Sequence, residues 1–318
     1  MTLILTGPTA TGKTDIALEI ARRLPNQIEI INADSMLVYR GMNIGTAKPK
    51  RAELEVCPHH LIDIRDPDQP FTAGEFVREA RAALVDIRSN GRQALIVGGA
   101  GFYLKALLYG LWDAPAADPV LRARLEHETL ETLWSRVDRR DPKSAARIGR
   151  TDRYRLVRAL ELIELTGRTP TELEAERPCI PDPEFKLWVI DRATPELEDR
   201  IRLRADQMLN QGLLAEVEGL YTRYPDARAL GAVGYAESVA FLEQRAPSGR
   251  KIAPGISGLR AEIELGTRQL VKRQRTWFRS TLSDLQRLDP PAGESFSLDQ
   301  DHDRLLARAL DLYSTNSS

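Results

Sequence analysis

Apolar residues fall into short runs separated by amphipathic stretches: Leu3-Ile4-Leu5, Ile28 to Ile31, Leu61 to Ile64, Ala94 to Val97 and Leu187 to Ile190. Short apolar runs alternating with helical patterns predict strands of a parallel sheet, buried on both faces and covered by helices. Between the first two runs Ile16, Ile20 and Leu24 recur every four residues on one helical face, and Pro25 closes that segment. A second helix is predicted from Thr72, which stands in capping-box spacing to Glu75. Phe76, Ala80, Ala83, Leu84 and Ile87 make its inner face, and Gly91 supplies its C′ residue.

From Pro119 to Leu165, and again from Pro195 to Arg279, the pattern is helical and charged with few strand signals. That is more helix than a minimal α/β core needs, so an inserted helical domain is expected. The expected division is a core over 1–199, a helical insertion over 200–265, and a return to the core over 266–318 with a basic helix and a C-terminal strand or helix. A segment near 114–150 is the other place for the insertion. Leu285 to Leu288 reads as a short strand, followed by the Pro290-Pro291 break and a small polar ending expected to be disordered. A chain of 318 residues accommodates such a core plus a second unit at about 150 residues per domain.

Composition narrows the class. The chain is 42% hydrophobic and 29% charged, and no apolar run approaches the roughly 20 residues that span a bilayer. No membrane segment is expected. Nor does a basic leader or cleavage site precede Leu3, so a cytoplasmic protein is expected; a monomer is expected as well. Cys57 and Cys179 are the two cysteines, without a Cys-x-x-Cys pair, which argues against a disulfide framework or a zinc site and for reduced, structural thiols. His59 and His60 lack a third ligand at suitable spacing and read as strand-flanking residues. Lys+Arg of 45 against Asp+Glu of 46 gives a formal charge of -1, so any nucleic-acid surface must be local.

The first apolar run leads into Gly7-Pro8-Thr9-Ala10-Thr11-Gly12-Lys13-Thr14, a Gly-x-x-x-x-Gly-Lys-Thr sequence between a strand and a helix. Glycines let the backbone wrap an oxyanion, its amides point inward, Lys13 adds a point charge, and Thr14 can ligate Mg2+ bridging phosphate oxygens. The ligand is thus a di- or triphosphate. The fold class that follows is a P-loop NTPase-like parallel sheet flanked by helices. An ATPase or kinase usually adds a strand ending in a magnesium-binding aspartate, whereas the run Ala94 to Val97 ends in Gly98-Gly99.

Further segments occur in an order that resembles the tRNA dimethylallyltransferase family. They are the phosphate loop, Asn32-Ala33-Asp34-Ser35-Met36-Leu37-Val38-Tyr39-Arg40-Gly41-Met42-Asn43-Ile44-Gly45-Thr46-Ala47-Lys48-Pro49, His59-His60-Leu61-Ile62-Asp63 and Gly98-Gly99-Ala100-Gly101-Phe102-Tyr103. Arg158-Ala159-Leu160-Glu161 with Thr166-Gly167, Gly212-Leu213-Leu214, Gly234-Tyr235 and Lys272-Arg273-Gln274-Arg275-Thr276-Trp277-Phe278-Arg279 complete the series.

The resemblance implies transfer of a dimethylallyl group from dimethylallyl diphosphate to N6 of the adenosine 3′ of the tRNA anticodon. It further implies Asp34, Lys13 and Thr9 as catalytic residues, the loop Gly7 to Thr14 on the diphosphate, and magnesium on Thr14. Either Arg200 or Arg204, one helical turn apart, resembles the arginine that approaches the diphosphate. Asp34 lies where an apolar strand gives out, the edge at which open parallel sheets bind ligands. Alone, such an aspartate serves as a turn or cap; within the family pattern it is the base that takes the N6 proton.

Ser35, Met36 and Leu37 resemble the segment beside the flipped adenosine. Tyr154, Arg155, Leu156, Val157 and Arg158 resemble a Gln-Arg-x-x-Arg stretch that contacts tRNA, with Tyr154 in place of Gln. Arg122 matches a single tRNA-contact position, and Ala100 stands where the family commonly has Thr.

Between Arg268 and Arg279 lie Arg268, Lys272, Arg273, Arg275 and Arg279 and no acid. On a helix, Arg268, Lys272, Arg275 and Arg279 make one cationic stripe with Leu270 and Trp277 on another side, an arrangement that tracks a phosphate backbone. A solvated helix face is the plain alternative, although such faces usually mix signs. A small-molecule kinase, or prenyl transfer to free adenine nucleotide, needs no such stripe. A non-enzymatic tRNA-binding protein has no use for Lys13, Thr14 and Asp34 together.

Overall fold

The computed structural model describes residues 1–111, 115, 117–176, 180–245, 255–287 and 291–315. Strand β1 (Thr2–Thr6) passes through the phosphate loop into α1 (Lys13–Arg23), followed by β2 (Ile28–Asn32), α2 (Arg51–Leu54), β3 (His59–His60), α3 (Ala73–Ser89), β4 (Gln93–Gly98) and α4 (Gly101–Tyr109). Helices α5 (Pro119–Glu126), α6 (Leu130–Arg140), α7 (Pro142–Ile148), α8 (Arg153–Thr166) and α9 (Pro170–Ala175) come next. Then follow β5 (Phe185–Asp191), α10 (Thr194–Asn210), α11 (Leu213–Arg223), a 3-10 turn at Arg228–Gly231, α12 (Tyr235–Leu242), α13 (Gly255–Gln286), β6 (Gly293–Ser297) and α14 (Leu298–Thr315).

The six strands form one sheet in the order β3-β2-β4-β1-β5-β6, and every pairing is parallel. Leu3, Ile4 and Leu5 are wholly buried at its centre, each such side chain contributing roughly 1.5–3 kcal/mol. Ile16 and Ile20 of α1, with Leu24 just after it, join Leu305, Leu306 and Tyr313 from α14 in the core on one side. Parallel strands bring the C-terminal ends of β1, β2, β4 and β5 to one edge. The phosphate loop, Asp34, Gly99 and Arg192 all lie there.

Helix α3 starts as its sequence dictates: the Glu75 amide donates to Thr72 Oγ1 at 3.2 Å, and the Thr72 amide to Glu75 Oε2 at 2.8 Å. Gly91 follows with φ of 70°, the left-handed conformation of a C′ residue.

Two strand expectations are corrected. The third strand is His59–His60, not Leu61 to Ile64, because Leu61 and Asp63 adopt φ of 63° and 55°, which ends the extended run. His60 Nε2 sits 2.6 Å from the buried Glu29 carboxylate on the neighbouring strand. Leu285 belongs to α13, where it is buried, and the last strand is Gly293–Ser297. Leu288, Cys179 and the final three residues lie outside the described residues.

The chain forms two compact units, Met1–Ala106 with Pro183–Ser318, and Leu107–Asp182. The first holds the sheet. The second contains α5 to α9, packed around Leu125, Leu133, Val137, Ala145, Leu156 and Leu160. The expected insertion at 200–265 is therefore corrected: that segment is helical but belongs to the unit of the sheet. Its helices pack there by their own apolar residues, with Leu197 and Ile201 of α10 against Val271 of α13. Among the described residues, no helix is long and apolar enough to cross a membrane.

Candidate functional site

The phosphate loop leaves β1 at Gly7, where a side chain would collide with the carbonyl of Ile190 on β5. Thr6 Oγ1 donates to the Gly98 carbonyl at 2.6 Å, which joins β1 to the end of β4. Inside the loop, Thr11 Oγ1 and Lys13 Nζ both donate to the Pro8 carbonyl at 2.8 Å. Gly12 caps α1 with φ of 96°, a conformation that only glycine adopts without strain. Among the described residues, the amides of Ala10, Thr11, Gly12, Lys13 and Thr14 have no hydrogen-bond partner. They are available at a helix N-terminus, the arrangement that binds oxyanions. Thr14 is exposed on the first turn of α1.

Asp34 follows β2 in a tight polar turn. Its Oδ1 accepts from the Met36 amide at 2.8 Å, while its own amide donates to Asn32 Oδ1 at 2.9 Å. Among the described residues, Asp34 Oδ2 has no hydrogen-bond partner. Ser35 and Met36 line the cavity beside it, while the Leu37 carbonyl accepts from the Asp63 amide at 3.2 Å.

Two cations face this carboxylate. Loss of hydration lowers the Lys13 ammonium to about 8, a shift opposed by the charge of Asp34 and reinforced by Arg204. Arg204 is lowered for the same first reason, opposed by Asp34 and Tyr235. Two poorly hydrated cations against one carboxylate leave a surplus of positive charge, which an anionic ligand would neutralise.

The two arginines of α10 differ in placement. Arg200 Nε donates to the Ala10 carbonyl at 2.7 Å, gripping the loop from outside, whereas Arg204 lines the cavity and donates to the Thr46 carbonyl at 3.2 Å. Arg192, at the end of β5, donates Nε to the Thr11 carbonyl at 2.7 Å.

The cavity has a volume of about 600 Å³. Thr9, Asp34 and Arg204 give it a polar end, and Met208, Ile263, Leu270, Trp277 and Phe278 an apolar wall. Ala100 lines it too, its amide donating to the Ala33 carbonyl at 3.1 Å. The glycines at the start of α4 allow close approach: a Cβ on Gly99 would stand 2.7 Å from Gln274 Nε2, and one on Gly101 2.6 Å from the Trp277 ring. Helix α13 thus packs directly on this turn. Gln274 Oε1 accepts from the Thr9 amide at 2.9 Å, and its Nε2 donates to the Gly99 carbonyl at 3.1 Å.

The loop over residues 43–46 closes another side. Glu216 on α11 accepts from the amides of Asn43, Ile44 and Gly45 and from the Tyr235 hydroxyl at 2.6 Å. Burial and the adjoining Glu216 carboxylate push the Tyr235 phenol well above its usual range.

The basic segment divides under the structure. Lys272, Arg273 and Arg279 are exposed and, among the described residues, pair with no carboxylate. Arg268 pairs with Glu264 at 3.3 Å, and Arg275 binds Asp191 through Nε and a terminal nitrogen, both at 2.9 Å. Of the expected stripe, Lys272 and Arg279 are therefore the members without a carboxylate partner among the described residues, while Arg273, off that stripe, lines the cavity. Thr276 turns its hydroxyl onto the Lys272 carbonyl at 3.0 Å, and Phe278, in the cavity wall, is buried.

In the second unit, Leu156 and Val157 are core residues, 0% and 2% exposed, so the expectation that their side chains meet tRNA is corrected. Arg122 and Arg158 both pair with the wholly buried Glu161, at 2.9 and 2.6 Å. Without those partners a buried carboxylate would be left uncompensated, which explains their place on the helices. Tyr154, half exposed, lies under Arg122 at 5.9 Å, and exposed Arg155 stands 3.4 Å from Asp152.

Sequence reasoning missed Asn32, Asp191, Arg192 and Glu216. Asp191 and Arg192 directly follow the run Leu187 to Ile190, and the rule that located Asp34 at a strand's C-terminal end would have found them. Glu216 carries no signal, being one acid among many on a charged helix.

The sequence model of the family described as IPP transferase matches residues 37–281. The chain is 42% identical over 280 residues to tRNA dimethylallyltransferase 1 of Citrifermentans bemidjiense, covering 87% of this chain and 88% of that relative. It is 43% identical over 303 residues to a tRNA dimethylallyltransferase of Thioalkalivibrio sulfidiphilus, covering 91% and 92%. Among solved structures, the full-length tRNA isopentenylpyrophosphate transferase from Bacillus halodurans aligns with a TM-score of 0.66 at 32% identity, covering 99% of this chain and 98% of the other. A eukaryotic dimethylallyltransferase acting on tRNA shares the fold, with a TM-score of 0.81 at 24% identity over 99% of this chain and 79% of the other. By sequence and by fold alike, this chain belongs to the IPP transferase family.

Proposed function

We propose that this protein transfers a dimethylallyl group from dimethylallyl diphosphate to N6 of the adenosine 3′ of the anticodon in tRNA, releasing diphosphate. The observation that carries the reading is the meeting of two poorly hydrated cations, Lys13 of the phosphate loop and Arg204, with Asp34, the last two at the polar end of the cavity. Donor diphosphate binds the amides of Ala10 to Thr14, with Lys13 and Arg204 supplying charge. As N6 bonds to the allylic carbon, the carbon–oxygen bond to diphosphate breaks and the electron pair leaves with the diphosphate. The two cations and the amides stabilise the charge where it develops. Asp34 Oδ2 accepts the N6 proton. Thr9, beside both groups, orients the reacting ends.

The residues fit a magnesium ion carried in by the diphosphate. An exposed Thr14 hydroxyl adjoins the loop amides, an oxygen donor of the kind that joins substrate phosphates in holding magnesium. Bound there, magnesium supplies further charge to the leaving diphosphate. The apolar wall formed by Met208, Ile263 and Leu270 excludes water from an allylic cation-like centre. Lys272, Arg273 and Arg279 meet the tRNA backbone, and the protein acts as a monomer in the cytoplasm.

The test mixes the protein with labelled dimethylallyl diphosphate or ATP, and with undermodified tRNA, AMP or a small alcohol. Label from dimethylallyl diphosphate should reach tRNA. Label on AMP but not on tRNA, or ATP serving as donor, would overturn the reading.

A further inference from the structure

The phosphate loop is fastened from outside by side chains of other segments. Arg200 on α10 draws the Ala10 carbonyl outward at 2.7 Å, and Arg192 draws the Thr11 carbonyl outward at the same distance. In a planar trans peptide, a carbonyl and the amide that follows it point in opposite directions. Holding those two carbonyls out therefore turns the amides of Thr11 and Gly12 inward, toward the place where an anion would sit.

Arg192 is itself braced. Its carbonyl accepts from Arg275 at 2.6 Å, its amide donates to Asp191 Oδ1 at 2.9 Å, and Arg275 binds that same Asp191 carboxylate with two nitrogens. Asp299, on α14, accepts from the Arg192 guanidinium at 3.1 Å and from the Ala193 amide at 2.8 Å. Arg275 also donates to Thr194 Oγ1 at 3.1 Å. This arginine lies on the helix that carries Lys272, Arg273 and Arg279, yet its guanidinium is engaged by Asp191, Thr194 and the Arg192 carbonyl.

We infer that Arg192, braced by Arg275 through Asp191, is a positioning residue that sets the direction of the loop amides receiving the donor diphosphate, and that Arg275 serves this brace instead of a nucleic-acid surface. The inference rests on the diphosphate reading above. Lysine cannot replace either residue, because each uses the fixed fork of a guanidinium to reach two or more acceptors at once.

The test titrates the full chain with inorganic pyrophosphate and magnesium by calorimetry, beside Arg192→Lys, Arg192→Ala and Arg275→Lys. Each substitution should weaken pyrophosphate by about tenfold, since misdirected amides lose contacts without loss of charge in the lysine variants. Donor kcat/KM should fall by at least a similar factor, because the same amides meet the charge that develops on the leaving diphosphate, and the salt dependence of tRNA binding should stay as in the parent. Thermal unfolding of Arg275→Lys, the mildest of the three, establishes that a folded chain is being measured. No pyrophosphate binding by the unaltered chain would sink the diphosphate reading and this inference with it. Binding by the unaltered chain with the same affinity in folded Arg275→Lys and Arg192→Lys, or a flattened tRNA salt slope in Arg275→Lys, would overturn the inference alone.

Discussion

Asn32 grips the backbone of Asp34 from both sides: its Oδ1 accepts from the Asp34 amide at 2.9 Å, and its Nδ2 donates to the Asp34 carbonyl at 3.2 Å. The same Nδ2 donates to the Leu61 carbonyl at 2.9 Å, and Asn32 is buried at the end of β2. The turn that presents Asp34 is therefore held by the strand before it and by the chain after β3. A base fixed by its backbone, with one carboxylate oxygen committed to the Met36 amide, offers the other in a defined direction.

Removal of the carboxylate and removal of its support should differ in degree. Asp34→Ala should lower kcat by roughly 10²–10⁴, the usual worth of general-base assistance, while tRNA affinity stays near the parent value. Asn32→Ala should lower kcat by about tenfold with donor KM unchanged, since positioning is lost but the base is retained. Single-turnover rates with saturating tRNA measure both. A large loss of tRNA binding in Asp34→Ala would assign that residue a different task.

Much of this site was legible in the linear chain, for reasons that differ residue by residue. The phosphate loop and Asp34 were readable because parallel strands place function at their C-terminal ends and because glycine spacing has a geometric cause. The capping box at Thr72 was readable because it is local. The strand Gly293–Ser297 was not, since Phe296 is its sole large apolar residue and edge strands need little more. Arg275 was misread because a helical wheel shows which face a cation occupies but not that Asp191, distant in sequence, waits opposite it. The helical unit at Leu107–Asp182 was passed over for 200–265 because both stretches have the same charged helical pattern. Which one packs on the sheet is decided by tertiary contacts such as those of Leu197 and Ile201 with Val271.

The lowered Lys13 ammonium gives a pH prediction with a definite sign. Its folded value of about 8 lies below the ordinary 10.5, so the loop lysine loses its charge as pH rises through about 8. For the free enzyme, kcat/KM for the donor should fall above that pH, and Lys13→Met should abolish this limb. Stability moves the other way. Between about 8 and 10.5 the folded chain binds fewer protons at this site than the unfolded chain, so this group's contribution to stability grows with pH across that window. Lys13→Met should therefore melt no lower than the parent at neutral pH without ligand. A clear drop in its Tm would mean that the ammonium is a net stabiliser, against the desolvation argument.

The basic face of α13 should respond to salt at some positions and not at others. Lys272, Arg273 and Arg279 are exposed without carboxylate partners among the described residues, whereas Arg268 is paired with Glu264. Replacing Lys272 or Arg279 by alanine should weaken tRNA binding and reduce the slope of log affinity against log salt by about 1. Arg268→Ala should leave that slope nearly unchanged. Filter binding over a salt series decides the matter, and equal slopes for all variants would remove α13 from the tRNA interface.

Glu216 holds the loop on the far side of the cavity, and its loss should register in both stability and catalysis. One carboxylate takes the amides of Asn43, Ile44 and Gly45, the shortest of these bonds being 2.8 Å, together with the Tyr235 hydroxyl at 2.6 Å. The next residue, Thr46, offers its carbonyl to Arg204. A side chain on Gly45 would strike the Tyr235 ring, so loop, ring and carboxylate form one packed group. Glu216→Ala leaves several partly buried donors unpaired and should cost about 2 kcal/mol or more in urea unfolding, while Tyr235→Phe, which removes one donor, should cost about 1 kcal/mol. Because both act on the same carboxylate, the double variant should cost less than the sum of the two. Donor KM should rise in Glu216→Ala as Arg204 loses its support from Thr46. Strict additivity in the double variant would show that the hydroxyl and the carboxylate act separately, and an unchanged donor KM would detach this loop from the placement of Arg204.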